Sequence, residues 1–297
     1  MDVDGLIVVD KPGGMTSHDV VARIRRLAGT RRVGHGGTLD PMATGVLVIG
    51  VNRATRLLTY VIGAQKSYTA TIRLGESTIT DDAEGDVIAR VPAGAVADEA
   101  VRRALRAQQG EIEQVPSAVS AIKVDGKRAY KRVRDGEQVA LAARRVTVSR
   151  LDVLDIRRPG AGSPDVIDVD VDVTCSSGTY IRAIARDAGA ALSVGGHLTA
   201  LRRTAVGELT LAEAATLPQL EERAPDVIGL PLAAAARRAF PQRVATADEA
   251  RVLRHGGPLE PVGIAGPYAV FDDAGAVLAV VSERDGRARA EIVLAPA

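Results

Sequence analysis

Residues 6–9 (Leu-Ile-Val-Val) form a short apolar run that stops at Asp10-Lys11-Pro12-Gly13-Gly14, the pattern of a strand ending in a turn. Val20, Val21, Ile24 and Leu27 then recur at helical spacing behind Ser17, and Gly29 stands where such a helix stops. The spacing predicts a helix with Ser17 as its N-cap. A glycine-rich loop over 34–41 leads into an apolar strand over 45–51, a helix near 53–62 and a strand over 67–74. An amphipathic helix is expected over 98–109, closed by Gly110. Over 166–175 apolar and polar positions alternate strictly, with Ile167, Val169, Val171 and Val173 on one side and Asp168, Asp170 and Asp172 on the other. Three aspartates on one face suit either a metal cluster or the wet face of an antiparallel sheet, and the alternation favours the wet face. A further helix follows over 179–188.

Past residue 217 the texture changes to Pro218, Pro225 and Pro231 and an Ala/Arg-rich helix, which reads as a linker. Three short strands, 268–271, 277–281 and 289–294, are then divided by Asp272-Asp273-Ala274-Gly275 and Glu283-Arg284-Asp285-Gly286 turns. Strands interspersed with helices, without strict βαβ alternation, predict an α+β fold with a mixed, largely antiparallel sheet flanked by helices. The predicted division is a first domain over 1–236 and a small C-terminal β-barrel over 237–297.

A chain of 297 residues with 46% apolar and 25% charged positions has ordinary globular proportions, which exclude disorder for the whole. The single cysteine, Cys175, forms no intramolecular disulfide and supplies no cysteine-rich metal cluster. A reducing, cytoplasmic setting is therefore expected. The N-terminal stretch has acids where a signal peptide needs cations, and its apolar run falls far short of the roughly 20 residues of a membrane span, so no membrane association is expected. With no Trp, five Tyr and two Phe, the core must be aliphatic, and few rings are left for stacking on a base.

The net charge of +1 hides a segregation. Residues 1–60 carry +3, 120–150 carry +6 and 175–207 carry +3, while the remainder carries −11. Brought together, the three basic stretches would form a face for a polyanion. Interleaved with the acidic ones, they would cancel.

The most informative stretch is GHGGTLDPMATGVL, residues 34–47. Its glycines permit a tight loop and close approach by a ligand, and Pro41 holds Asp40 extended at the loop's end. No Gly-Lys-Ser/Thr or GxGxxG pattern is present, so the loop is no phosphate cradle of either type. The acidic run Thr80-Asp81-Asp82-Ala83-Glu84-Gly85-Asp86 lacks the spacing of a calcium loop. The four histidines, His18, His35, His197 and His255, show no ligand spacing, so no metal site is expected.

Residues 34–47 closely resemble the catalytic motif of the TruB family of tRNA pseudouridine-55 synthases. VVDKPGGMTSHDVV (8–21), KSYTATIRLGESTITDDAEG (66–85), VPSAVSAIKVDGKRAYKRVRDG (115–136), CSSGTYIRAIARDAG (175–189) and HLTALRRTAVG (197–207) resemble family segments in the right order. Together they span roughly residues 5–210, and the C-terminal part resembles a PUA domain. The resemblance implies isomerisation of uridine in the T-arm loop of tRNA, without metal or organic cofactor and without an obligate protein partner. It implies Asp40 as the carboxylate at the anomeric carbon, acting as nucleophile, as charge stabiliser or as base, through a covalent ribosyl ester or a glycal. It implies Arg182 as the cation that keeps Asp40 ionised and oriented, and Tyr68 as the ring on the target base. Tyr180 and Leu201 would line the pocket, and His35 would prop the space a flipped-out base leaves. Lys11, Lys123, Lys127, Arg128, Lys131, Arg132, Arg202 and Arg203 would contact RNA. Two other classes fit the composition: a tRNA-binding or tRNA-folding protein without essential catalysis, and a nucleoside hydrolase, which ordinarily needs two working carboxylates.

Overall fold

The computed structural model describes residues 4–117, 123–124, 127–128, 141–158, 160 and 165–295. In chain order the first half runs β1 (Gly5–Lys11), α1 (Ser17–Leu27), β2 (Val33–His35), β3 (Thr44–Val51), a 3-10 turn (Asn52–Leu57), α2 (Leu58–Gly63), β4 (Lys66–Leu74), β5 (Glu76–Thr78), β6 (Val87–Arg90), α3 (Asp98–Arg106) and β7 (Gly110–Gln114). Two-residue strands β8 (Lys123–Val124) and β9 (Lys127–Arg128) pair with each other. Then come β10 (Arg144–Arg157), β11 (Ile167–Cys175), α4 (Ile181–Ala191), β12 (Gly196–Val206), β13 (Leu209–Thr210), α5 (Leu217–Arg223), β14 (Leu230–Pro231) and α6 (Leu232–Ala239). The C-terminal part holds β15 (Gln242–Val244), α7 (Ala247–Arg254), β16 (Tyr268–Phe271), β17 (Val277–Arg284) and β18 (Arg287–Val293).

One large sheet in the order β14-β1-β3-β12-β4-β11-β10-β7 organises the chain as far as Pro231, with β2 on β3 and β13 on β12. Its ladders are antiparallel except the β3–β12 junction, which pairs Arg202 with Thr44 and Arg203 with Gly45. The α+β expectation therefore holds. Strands β1 and β3 read as unbroken apolar runs because both of their faces are buried. Ile7, Val9, Leu47 and Ile49 join α1 and α4 in the main core, while Leu6, Val8, Val46 and Val48 face a second core. Strand β11 alternates as expected, with its valines at 0% exposure. Its aspartates are the wet face, paired across strands: Asp168 with Arg73, Asp170 with Arg157 and Thr71, and Asp172 with Arg150. No metal-binding group occurs among the described residues.

The structure differs from the expected elements at three places. Helix α1 is capped by Thr16, which forms a capping box with Asp19, rather than by Ser17. Ser17 is buried and serves the loop described below. The segment expected as one helix near 53–62 divides into a 3-10 turn and the six-residue α2. The C-terminal strands form a four-stranded sheet, β15-β16-β17-β18, and no closed barrel is found among the described residues. The second core joins that sheet to the back of β1 and β3 through Phe240, Phe271, Val277, Val280 and Leu294. A division between 236 and 237 would cut α6, whose Leu232, Ala235 and Ala236 belong to that shared core. No described helix is long and apolar enough to cross a membrane.

Gly45 fixes how the loop over 34–41 enters the sheet. Its φ is +97°, and a Cβ there would lie 2.2 Å from the Arg203 carbonyl across the parallel junction. Gly45→Ala is expected to destabilise the fold by roughly 3 kcal/mol or more, combining strained backbone with a backbone clash. Urea denaturation checks this, and a loss under 1 kcal/mol would contradict it.

Candidate active site

Three elements converge at the parallel junction. The loop ahead of β3 brings Asp40, the inward face of β4 brings Tyr68, and the first turn of α4, packed on β12 and β4, brings Arg182. Tyr68 is paired in register with Arg203 on β12, so the two side chains start from neighbouring points. All four, with Leu39, Ile62, Lys66, Tyr180, Ile181 and Leu201, line one cavity of about 250 Å³.

Arg182 is the hub. Only 5% of its side chain is exposed, and its Nε lies 3.1 Å from Asp40 Oδ2. Its Nη1 donates to the Thr80 carbonyl at 2.7 Å and lies 3.4 Å from Asp82 Oδ2. Asp82 is buried, its Oδ1 accepting from Thr80 Oγ1 and from the Glu84 N–H. The acidic run dismissed as a calcium loop thus supplies a second carboxylate to the same guanidinium. Nothing local in Thr80-Asp81-Asp82 marked which acid turns inward.

The loop carrying Asp40 is pinned residue by residue. Ser17 Oγ accepts from the Leu39 N–H and donates to the Leu39 carbonyl, at 2.9 and 3.1 Å. Lys11 donates to the carbonyls of Pro12, Met15 and Pro41 at 2.8, 2.6 and 3.2 Å. Arg203 donates through Nε to Val46 O at 2.7 Å, and through its Nη atoms to Gly37 O and Thr38 O at 3.1 and 3.4 Å. Gly37, at φ +103°, leaves open the space where a Cβ would meet both Lys66 and Arg203.

Two of the expected RNA contacts lie inside the fold. Lys11 is fully buried, with its ammonium held by three carbonyls, so it braces the loop. Arg203, 1% exposed, lines the cavity from within and likewise serves carbonyls. Arg202 remains partly exposed, but its guanidinium is bound bidentately to Asp10 at 2.7 and 2.9 Å. His35 lies at the end of β2, edge-on to His18 with ring centroids 5.4 Å apart, and is not among the cavity-lining residues. Tyr180 and Leu201 are on the wall. The side chains of Lys123, Lys127 and Arg128, and Lys131 and Arg132 entirely, lie outside the described residues. Sequence reasoning missed Lys66, two positions from Tyr68 on the same face, whose ammonium donates to Ile62 O and Ala64 O.

Burial pushes the Asp40 carboxyl above the usual carboxylate range. Arg182 opposes this most strongly, Asp82 adds to it, and Lys11 and Arg203 pull back. One guanidinium is shared by two carboxylates, so the ionisation of Asp40 that the resemblance implies works against both burial and the Asp82 charge. Burial also pushes up the Tyr68 hydroxyl. It lowers the ammonium of Lys66 to about 8 and that of Lys11 to about 8.

A carboxyl raised by burial contributes stability below its unfolded-state pKa and loses it as pH rises through the folded-state value. Asp40→Asn is therefore expected to melt at a higher temperature than wild type near pH 8. The difference should shrink towards zero near pH 4, the ordinary range of an aspartate. Thermal melts across pH check this. A variant less stable at pH 8 than wild type would contradict the raised carboxyl.

Known proteins resemble this chain over nearly its whole length. The TruB family pseudouridylate synthase N-terminal domain matches residues 25–181, the tRNA pseudouridylate synthase B C-terminal domain matches 182–226, and the C-terminal profile of tRNA pseudouridine synthase II matches 240–295. The chain is 56% identical to tRNA pseudouridine synthase B of Arthrobacter sp. (strain FB24), covering 99% of this chain and 97% of that one. It is 56% identical to the protein of the same name from Thermobifida fusca (strain YX), covering 98% and 99%. Among solved structures, a chain of a Cbf5-Nop10-Gar1 complex superposes with a TM-score of 0.71 at 25% identity, covering 98% of this chain and 85% of that one. A chain of an H/ACA RNP bound to a substrate RNA containing 2′-deoxyuridine has the same fold, with a TM-score of 0.70 at 24% identity and coverage of 98% and 85%. The shared fold, the near-complete coverage and the matched profiles together establish that this chain belongs to the TruB family of pseudouridylate synthases.

Proposed function

We propose that this chain isomerises uridine to pseudouridine in tRNA, at position 55 of the T-arm loop, with Asp40 as the reacting carboxylate. The observation that carries the reading is the convergence of Asp40, Tyr68 and Arg182 on one cavity, with the Arg182 guanidinium 3.1 Å from the Asp40 carboxylate. In the reaction the bond from ribose C1′ to base N1 breaks, the uracil turns, C5 bonds to C1′, and the proton lost from C5 is balanced by one gained at N1. Positive charge develops at C1′ as N1 leaves, and an ionised Asp40 meets that need as nucleophile or as counter-charge. Arg182 orients the carboxylate and favours its ionised form. Tyr68, Leu201 and Ile181 give the cavity an apolar wall that keeps water from the anomeric carbon, so the base is retained rather than hydrolysed away. A nucleotide enters such a cavity only after it has left its stack, at a cost of a few kcal/mol.

Basic residues outside the cavity would supply the backbone contacts that offset this cost, foremost Lys123, Lys127, Arg128, Lys131 and Arg132. The C-terminal sheet adds a second RNA-holding surface in this reading.

Incubation with an unmodified T-arm stem-loop RNA, followed by mapping of the modified position, is expected to give pseudouridine at one uridine, and Asp40→Asn is expected to lower the rate at least about 1,000-fold. Released uracil, or undiminished product from Asp40→Asn, would overturn the assignment. Neutralising Lys127, Arg128 and Lys131 together is expected to reduce the slope of log affinity against log salt by about 2. An unchanged slope would remove them from the interface.

A further inference from the structure

Gln114 ends β7 with its side chain almost fully enclosed, at 2% exposure. A buried carboxamide is costly unless both of its ends are bonded, and here both ends go to one residue. Gln114 Oε1 accepts from the Tyr180 N–H at 2.8 Å, and Gln114 Nε2 donates to the Tyr180 carbonyl at 3.1 Å. Tyr180 is the N-cap of α4 and has no side-chain capping bond of its own. Its carbonyl also receives the first turn's N–H groups from Ala183 and Ile184, at 3.1 and 3.3 Å. The next two residues are Ile181, on the cavity wall, and Arg182, whose guanidinium holds Asp40. The approach to the helix, Ser177-Gly178-Thr179, turns at Gly178 with φ +87°, so the backbone entering α4 is set by what it is tied to.

We propose that Gln114 is a positioning residue for catalysis: its carboxamide clamps both main-chain polar groups of Tyr180 and so fixes the first turn of α4, from which Arg182 reaches Asp40. The clamp links β7, on the far edge of the sheet, to a helix that packs near its centre. A lateral shift of about 1 Å at a reacting group costs on the order of 100-fold in rate. A few tenths of an ångström at Arg182 therefore suffices to be read kinetically. This inference rests on the proposed isomerase activity.

The test compares wild type, Gln114→Met and Gln114→Glu on the T-arm stem-loop RNA, well below the melting temperature of each. Gln114→Met keeps the volume and loses both bonds. It is expected to lower kcat about 10- to 100-fold, with KM changed less than 2-fold. The acid limb of kcat should move to higher pH, because a displaced Arg182 pulls less on Asp40 while Asp82, Lys11 and Arg203 stay in place. Gln114→Glu keeps the volume and the acceptor for the Tyr180 N–H but, when ionised, sets a bare oxygen against the Tyr180 carbonyl; it is expected to fall below wild type in kcat, increasingly so as pH rises, and circular dichroism at the assay temperature shows which variants are folded. Full kcat across pH in either folded variant, or a loss of kcat in Gln114→Met with the acid limb unmoved, overturns the inference. A KM rise that accounts for the whole loss overturns it as well, since the residue would then serve RNA docking. Failure of wild type itself to form pseudouridine would instead sink the proposed function.

Discussion

A guanidinium taken almost wholly out of water and shared by two carboxylates is the constraint on which the rest of the site depends. Arg182 faces Asp40 through Nε and Asp82 through Nη1, with the Thr80 carbonyl between them in sequence. An ion pair about 4 Å apart is worth roughly 4 kcal/mol at an effective dielectric near 20, whereas removing an ion from water costs several kcal/mol. A single cation therefore does not fully compensate two acids. Asp82, wholly enclosed and hydrogen-bonded, takes part of the cation's attraction, and Asp40, with about a third of its side chain exposed, is the carboxyl left under-compensated and open to a substrate. The arrangement gives up stability at the position where the proposed reaction would need a reactive carboxylate.

Holding that carboxyl in place falls to main-chain contacts more than to charge pairs. Ser17, Lys11 and Arg203 meet Leu39, Pro41, and Gly37 with Thr38 through hydrogen bonds to the loop's own backbone. Two of the three are buried cations answered by carbonyl dipoles, which fix a loop sharply because each donor has a defined acceptor. They also place positive charge behind Asp40, where it favours the ionised form. The parallel β3–β12 junction makes this possible, since it sets Arg203 beside Gly45 just as the loop enters the sheet.

The elements visible in the sequence were those whose burial is uniform or strictly periodic. The strands at 5–11, 44–51 and 167–175 follow from continuous runs and from period-two alternation, and the aspartates of β11 proved to be its wet face. The family motifs led directly to Asp40, Tyr68 and Arg182. What stayed illegible was the direction in which polar side chains turn. Lys11 and Arg203 are cations in basic stretches, and the carbonyls they bond, of Pro12, Met15 and Pro41 for Lys11 and of Gly37, Thr38 and Val46 for Arg203, explain why they point inward. Thr16 and Ser17 are equally competent caps, and burial of Ser17 against Leu39 separates their roles. Asp81 and Asp82 are adjacent acids, and the bridge between Asp82 and Leu198 decides which one faces Arg182.

The central claim is that burial holds the Asp40 carboxyl above the ordinary aspartate range while Arg182 opposes that shift. Carbon-13 NMR titration of the Asp40 carboxyl, in wild type and in Arg182→Gln, reads it directly. The account predicts a wild-type midpoint above about 4 and a further upward displacement when the guanidinium is removed. A wild-type midpoint at or below the ordinary value, or one indifferent to Arg182, would contradict it.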